Sequence, residues 1–401
     1  MRKRIFFIWN GIYGDNVGGG DLHGFHMAEA ALAAGYDLHF IGGHALRSYL
    51  EKREFPATVS LSDERRLPPF DAASTRGQFR LLADYVRRFR GTQRHLGQIE
   101  PGDYVHAVTD FWFDVIPAAR CRAERKTTLL GMNAPSLREI LFQARPDVTP
   151  LRLPSLYFWL SQGTSLRRFR GCANKRMLYV HPDMRARLLR LGFRESEIVF
   201  GSNGVDVVVA DQVPPQEKEY DAVWIGRVHT QKGIEDLMQT LAFLARKVEG
   251  FKALIIGRVK EELAPKVEAL GIGQHVHFSG FVSEQEKFRL FKSSRVFLMP
   301  SHYESWGLVI GEALACGVPV VAYDLEPYRP VFGNFLRYVP CFDLESYQRA
   351  AETQVRAMRH GDNYLDRLDL VGFKEANSWE AVRAKFVGAL EEMKFSTDRR
   401  S

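Results

Sequence analysis

Short apolar runs rich in β-branched and aromatic residues alternate along most of the chain with stretches whose apolar positions recur every three or four residues. That alternation is the pattern of parallel sheets covered by helices on both faces. Arg4 to Trp9 predicts a buried strand, GIYGDNVGGG a loop, Leu22 to Ala34 a helix and Asp37 to Ile41 the next strand. Together they make a βαβ unit with glycines at its first turn. Tyr104 to Val108, Lys126 to Leu130 and Arg176 to Val180 predict later strands of the same sheet. The proline- and charge-rich VPPQEKEY reads as a linker. The pattern then restarts at Asp221 to Ile225, with strands at Lys252 to Ile256, His275 to Phe278, Val296 to Met299 and Pro319 to Ala322. The expected fold class is α/β, two Rossmann-like doubly wound domains facing a central cleft, one over 1–206 and one over 207–376. A chain of 401 residues is long enough for two cores.

Charge changes the picture of the first half. Up to Ala210 there are 30 Lys+Arg against 21 Asp+Glu, and beyond it 25 against 27. A basic half suits an anionic lipid surface, a phosphorylated acceptor or nucleic acid, and an arginine-rich genome explains it equally. The four cysteines form no C-x-x-C pair, so neither a zinc site nor a disulfide framework is expected and a cytoplasmic location fits. The apolar run after the basic tip MRKR is too short for a signal peptide, and no segment approaches a membrane span.

Three motifs carry candidate chemistry. In PSHYESWGLVIGEALACGVPVVAYD, Glu304 and Glu312 flank Gly307 and Gly311. A helix over Trp306 to Ala315 would offer free N–H groups to a diphosphate, with one carboxylate for sugar hydroxyls and one for a ribose diol. The bland alternative is two solvated glutamates. In WIGRVHTQKGIEDL, a strand ends at Gly226 and is followed by Arg227 and Lys232, which together can neutralise a leaving diphosphate or simply lie on the surface. In FGSNGVDV, Asn203 and Asp206 stand at a turn just before the linker.

These motifs, in this order, resemble the retaining GT-B glycosyltransferases of family four. The pattern P-S-x-x-E-x-x-G-L-x-x-x-E-A-x-A-x-G-x-P-V-V-A is met from Pro300 to Ala322, with G-R-x-x-x-x-K-G and N-G-V-D upstream. The resemblance implies transfer of a hexose from a nucleoside-diphosphate sugar, UDP- or GDP-linked, to a hydroxyl acceptor, with no cofactor and no metal. Glu304 would hold donor-sugar hydroxyls, Glu312 the ribose, and Arg227 and Lys232 the diphosphate. Asn203, Asp206, Gly226 and the turn at Trp306, Gly307, Leu308 and Val309 would complete the donor site, capped by Gly18, Gly19 and Gly20 of the first domain. The base would pack near Gly257 to Val259 and Gly280 to Val282. The resemblance also assigns the closing helix over 377–395 to the first domain.

Two departures stand out. Asn133 occupies the place of a histidine common in the family, which puts a general-base role there in doubt. Ser305 and Trp306 replace Gly-Phe, which is expected to reshape the sugar pocket. On the acceptor side, Asp110 is placed to meet a hydroxyl, His23 and His26 lie three apart on a helix, and His106 reads as core. In QFRLLADYVRRFRGTQRHLG, Phe79, Leu82, Val86 and Phe89 share a helical face among arginines. A core-facing stripe is the favoured reading and peripheral contact with an anionic membrane the alternative. LPSLYFWLSQGTSLRRFRG carries the same ambiguity. Rival functions are a GT-B epimerase, a non-catalytic sugar-nucleotide binder and a nucleic-acid-binding protein; the last lacks a reading motif, and no nucleic-acid partner is expected.

Overall fold

The first apolar run folds as β1 (Arg4–Trp9), buried from Ile5 onward because helices cover both of its faces. The computed structural model describes residues 3–12, 18–65, 75–143 and 153–393. Residues 13–17 of the glycine-rich loop, and the chain beyond Met393, lie outside the described residues.

β2 (Asp37–Gly43), β3 (Thr58–Asp63), β4 (Tyr104–Ala107), β5 (Arg125–Leu130), β6 (Asn174–Tyr179) and β7 (Ile198–Phe200) complete the first sheet, in the order β3-β2-β1-β4-β5-β6-β7. The second sheet comprises β8 (Tyr220–Ile225), β9 (Ala253–Ile256), β10 (Val276–Gly280), β11 (Ser294–Met299), β12 (Val320–Tyr323) and β13 (Leu336–Val339), in the order β10-β9-β8-β11-β12-β13. Every pairing is parallel, with Ile5 opposite Tyr104 in one sheet and Val296 opposite Ala222 in the other. The chain is therefore two doubly wound α/β units. Strand order reverses between β1 and β4 and between β8 and β11, and the carboxyl ends at such reversals are where these folds bind ligands.

Three strands escape the apolar-run signal: β3, β7 and β13. Each is an edge strand, either very short or buried at only some positions. A strand covered on fewer sides needs fewer apolar residues, so its signal is weak.

The first unit holds the described residues up to Ile140, those from 153 to Ser202 and those from Val382 on; the second holds Asn203–Ala381 with 141–143. The division thus falls a few residues before Asp206. It also falls inside the closing helix (Trp379–Glu391), whose Trp379 packs on Gly204 of the second unit.

The helix Thr75–His95 turns a polar face inward, contrary to the core-facing stripe expected. Asp84, Arg88 and Thr92 are buried, while Phe79 is 69 % exposed. The physical reason lies in the loop after β1, whose carbonyls need donors: Arg88 donates to the carbonyls of Asn10 at 2.6 Å and Ile12 at 2.8 Å. The apolar stripe divides: Phe79, Leu82 and Val86 line an open groove of about 980 Å³ beside Leu61–Arg65, while Phe89 packs against Trp112 with ring centroids 5.0 Å apart. The helix Leu153–Arg170, by contrast, sinks Leu166 and Phe169 into the core.

Candidate functional site

In the second unit the three motifs meet at the carboxyl ends of β8 and β11. β8 leads through Gly226 to Lys232 and Gly233, and β11 leads through Pro300 to Gly307 and the helix Leu308–Ala315. Gly233 is buried with φ of 61°, and a Cβ there would lie 1.8 Å from the Pro300 carbonyl oxygen. Only glycine allows the two loops to approach this closely. The approach lets Lys232 Nζ reach Glu304 Oε1 at 2.5 Å, an ion pair with both side chains mostly buried. Arg227, by contrast, is exposed and has no ion pair or side-chain hydrogen bond among the described residues.

The third motif backs the same helix. The Val205 N–H donates to the Asn377 carbonyl at 2.8 Å, and the Val205 side chain fills the space that the missing Cβ of Gly311 leaves. Asp206 accepts from the Val209 N–H at 3.1 Å and so caps the short helix Val207–Gln212, while Asn203 is buried.

Gly307 caps the helix Leu308–Ala315 in the left-handed region, with φ of 86°. Leu308 and Val309 occupy its first turn, where backbone N–H groups lack intrahelical partners and the helix dipole favours an anion. Two sequence expectations change here. The helix begins at Leu308 rather than Trp306, because the left-handed turn at Gly307 separates them. The Trp306 side chain does not shape a sugar pocket: it is 1 % exposed and packs edge-on against Phe332 in the core.

Glu312 has a partner that sequence spacing did not reveal. Lys287, from the helix Glu284–Lys292, places Nζ 2.8 Å from Glu312 Oε1. Burial lowers the pKa of this ammonium, but the charge and hydrogen bond of Glu312 outweigh it and hold the group above its ordinary value. Lys287 follows Glu284 by one helical turn, so the sequence around it reads as a surface ion pair; its approach to Glu312 is purely tertiary.

In the first unit, Gly18 caps the helix Gly19–Ala33, which starts three residues before Leu22 and takes Gly19 and Gly20 into its first turn. That helix end already holds an anionic group of the chain. Asp21 accepts from the Gly18 N–H and from Trp9 Nε1, each at 3.0 Å. His23 is fully buried, and burial followed by the charge of His26 lowers its pKa to about 4, so it presents nothing to an acceptor. His106 is likewise fully buried, as expected of a core residue.

Asp110 and Asn133 are held by side chains from distant helices. Gln162 donates to Asp110 and to the Met132 carbonyl and accepts from the Ala134 N–H, so one amide ties the end of β4 to the end of β5. Arg187 donates to Asn133 Oδ1 at 2.9 Å. Burial raises the Asp110 carboxyl to about 6 against the opposing hydrogen bond from Gln162. Nothing in the sequence pairs Gln162 or Arg187 with these positions.

Asp114, in the first turn of the helix Trp112–Arg120, is fully buried and accepts from the Asn10 N–H at 2.8 Å and the Thr109 hydroxyl at 2.6 Å. Burial raises its pKa to about 7 despite these donors. The folded state therefore holds this proton where the unfolded chain has lost it. Its contribution to stability is complete below the unfolded value and lost as pH rises through the folded one. Urea melts at about pH 5 and about pH 8 are expected to show the first unit weakening toward the higher pH, with Asp114→Asn flattening the difference. Among the described residues, no group of three or more His, Cys, Asp or Glu side chains is placed to hold a metal ion.

Residues 209–352 match the family model for glycosyl transferases group 1. Mannosylfructose-phosphate synthase of Agrobacterium fabrum is 26 % identical over 182 residues, covering 42 % of this chain and 39 % of its own length. Phosphatidyl-myo-inositol mannosyltransferase of Mycobacterium leprae is 34 % identical over 125 residues, covering 30 % and 33 %. The chain thus spans well under half the length of these curated relatives. Sucrose-phosphate synthase from Thermosynechococcus elongatus superposes with a TM-score of 0.69 at 17 % identity, covering 98 % of this chain and 99 % of that one. HepE of Anabaena, solved with UDP and glucose, gives 0.65 at 17 %, covering 97 % and 100 %. At such identities these likenesses establish the fold alone, which is that of the GT-B glycosyltransferases.

Proposed function

We propose that this protein is a retaining glycosyltransferase that moves a hexose from a nucleoside-diphosphate sugar to a hydroxyl acceptor without a metal. The observation that carries the reading is the Lys232–Glu304 pair beside the open N-terminus of the helix Leu308–Ala315. Breaking the bond from the anomeric carbon to the phosphate oxygen leaves negative charge on the diphosphate and positive charge on the sugar. Lys232 and the first N–H groups of the helix are donors held in place for the first, and the exposed side chain of Arg227 can move to join them. With Lys232 drawn to the phosphate, Glu304 is released to accept sugar hydroxyls. Glu312 takes the ribose diol through the carboxylate edge that Lys287 leaves open.

The base is assigned to the carboxyl ends of β9 and β10. There Phe281 is 73 % exposed with the Arg258 guanidinium over its ring at 4.8 Å, a platform on which a nucleobase can stack. A thermal-shift series with UDP-glucose, GDP-mannose and their ADP- and dTDP-linked counterparts is expected to single out one nucleotide. Saturation a hundredfold above the dissociation constant stabilises by about 2.7 kcal/mol. Phe281→Ala should remove most of that shift, and no shift with any of these compounds would refute the donor reading.

Asp110 and Asn133 are assigned to the acceptor. Relatives whose names include an inositol phospholipid and a sugar phosphate support an anionic acceptor class. All four cysteines are free thiols, which supports a cytoplasmic setting. No described helix is long and apolar enough to cross a membrane. The exposed Phe79 and Leu82, flanked by Arg90 and Arg94, support peripheral contact with an anionic bilayer. Co-sedimentation with phosphatidylglycerol vesicles but not phosphatidylcholine vesicles is expected, with Phe79→Ser weakening it about tenfold. Equal binding to both lipids would remove the membrane from the reading.

A further inference from the structure

Glu304 and Lys232 stand on two separate loops, and an ion pair between long side chains does not by itself hold loops in register. His302, two residues before Glu304, makes the two connections that do. Its backbone N–H donates to the Gln231 carbonyl at 2.7 Å, the residue just before Lys232. Its ring Nε2 lies 2.9 Å from Asp236 Oδ2, in the first turn of the helix Ile234–Lys247 that follows the Lys232 loop. A carboxylate only accepts, so Nε2 carries the proton. The Tyr323 hydroxyl donates to the same oxygen at 2.7 Å. Burial raises the Asp236 carboxyl, but the two donors outweigh it and hold its pKa below the ordinary value. The His302 ring also packs against Tyr323 and Phe342, with centroids at 5.9 and 4.9 Å, and those two rings lie 6.3 Å from each other.

From this geometry we infer that His302 is a positioning residue for the donor site: its hydrogen bond to Asp236 fastens the Glu304 loop to the Lys232 loop. The inference rests on the donor-site reading above. It goes further by naming a residue that acts through Asp236 and Gln231 to set the separation of Lys232 and Glu304. It also says why the fastening is polar. The ring has two aromatic neighbours, so packing alone would be served as well by phenylalanine. Asp236, with an apolar ring facing it, would lose a donor while mostly buried, a cost that loop separation relieves.

The test sets hydrogen bonding against packing. His302→Phe keeps a ring packed against Tyr323 and Phe342 and removes the donor, while His302→Gln keeps a donor near the Nε2 position and removes the ring. Amide hydrogen exchange of the full-length protein is followed in the segments 229–233 and 300–306. His302→Phe is expected to speed exchange about tenfold in both segments together, leaving β9 and β10 unchanged, and His302→Gln to stay within about twofold of the parent. Asp236→Ala should reproduce the phenylalanine defect, which keeps the test decisive if His302→Phe folds poorly. Turnover of whichever of UDP-glucose or GDP-mannose gives the larger thermal shift should fall about tenfold in kcat for His302→Phe and be rescued in His302→Gln.

The inference is overturned if His302→Phe exchanges like the parent, or if His302→Gln loosens the loops as much as His302→Phe does. Exchange does not require a substrate. Coupled loop loosening without any sugar-nucleotide turnover in the parent would therefore sustain the fastening and count against the donor reading alone.

Discussion

Replacing Lys232 by alanine is expected to lower sugar-nucleotide turnover about a thousandfold, and to lower the thermal midpoint by a few degrees without unfolding the second unit. The ammonium is the fixed positive charge held at the end of β8, and in the free protein it neutralises Glu304. Its removal has two consequences. On the proposed reading, the leaving diphosphate loses the cation best placed to take up its charge, because Arg227 is exposed and unanchored. Glu304 is also left as an unpaired, mostly buried carboxylate, which repels an incoming phosphate. Lys232→Met separates these effects by keeping the bulk, and Glu304→Gln in the same background relieves the repulsion without restoring catalysis. If Lys232→Ala retained more than about a tenth of parental kcat, the diphosphate clamp would have to be assigned elsewhere.

Gly233→Ala is expected to be among the most damaging single-methyl additions in the second unit. The position combines a left-handed φ of 61° with a neighbouring backbone oxygen 1.8 Å from where the Cβ would sit. The conformation alone costs an L-residue about 1–2 kcal/mol. The Pro300 carbonyl cannot move without dragging β11 or the Glu304 loop, so a total above about 3 kcal/mol is expected. Urea unfolding should show the loss in the second unit, with the Lys232–Glu304 contact broken in whatever remains folded. A variant with parental stability and turnover would show that the loops tolerate separation. That result would also weaken the case for His302 as their fastening.

These two residues illustrate how far local sequence reaches. Lys232 was legible as a candidate because a cation six residues after a strand end, followed by glycine, is a local arrangement. The reason Gly233 must be glycine was not legible, because the obstacle is Pro300, 67 residues away. Glu304 and Glu312 were likewise visible as a pair on one segment. Each proved to be matched with a lysine from a different segment, Lys232 and Lys287. The same holds in the first unit, where Asp110 and Asn133 could be proposed from strand ends but Gln162 and Arg187 could not.

Some local signals misled because burial is decided by the whole fold. Trp306, set in a motif loop, turned inward to fill the space beside Phe332. Phe79 and Leu82 of the helix Thr75–His95 face outward because the loop after β1 needed the donors of Arg88 more than the core needed Phe79, while Phe89 of the same stripe packs against Trp112. His23, three residues after the glycine run, could be read either as a contact for the acceptor or a phosphate or, more simply, as a packed helix residue, and its wholly buried ring agrees with the second.

By itself, then, the sequence determined the two parallel sheets, their central strands and the segments that bear the candidate chemistry. Those properties follow from periodic burial and from residues near one another in the chain. Only the tertiary structure decided which charges are paired, which aromatic side chains are core, where glycine is obligatory and which contacts join the Lys232 and Glu304 loops. Each of these depends on atoms brought within a few ångströms by strand order, and strand order is set by packing across the whole unit rather than by any one stretch of residues.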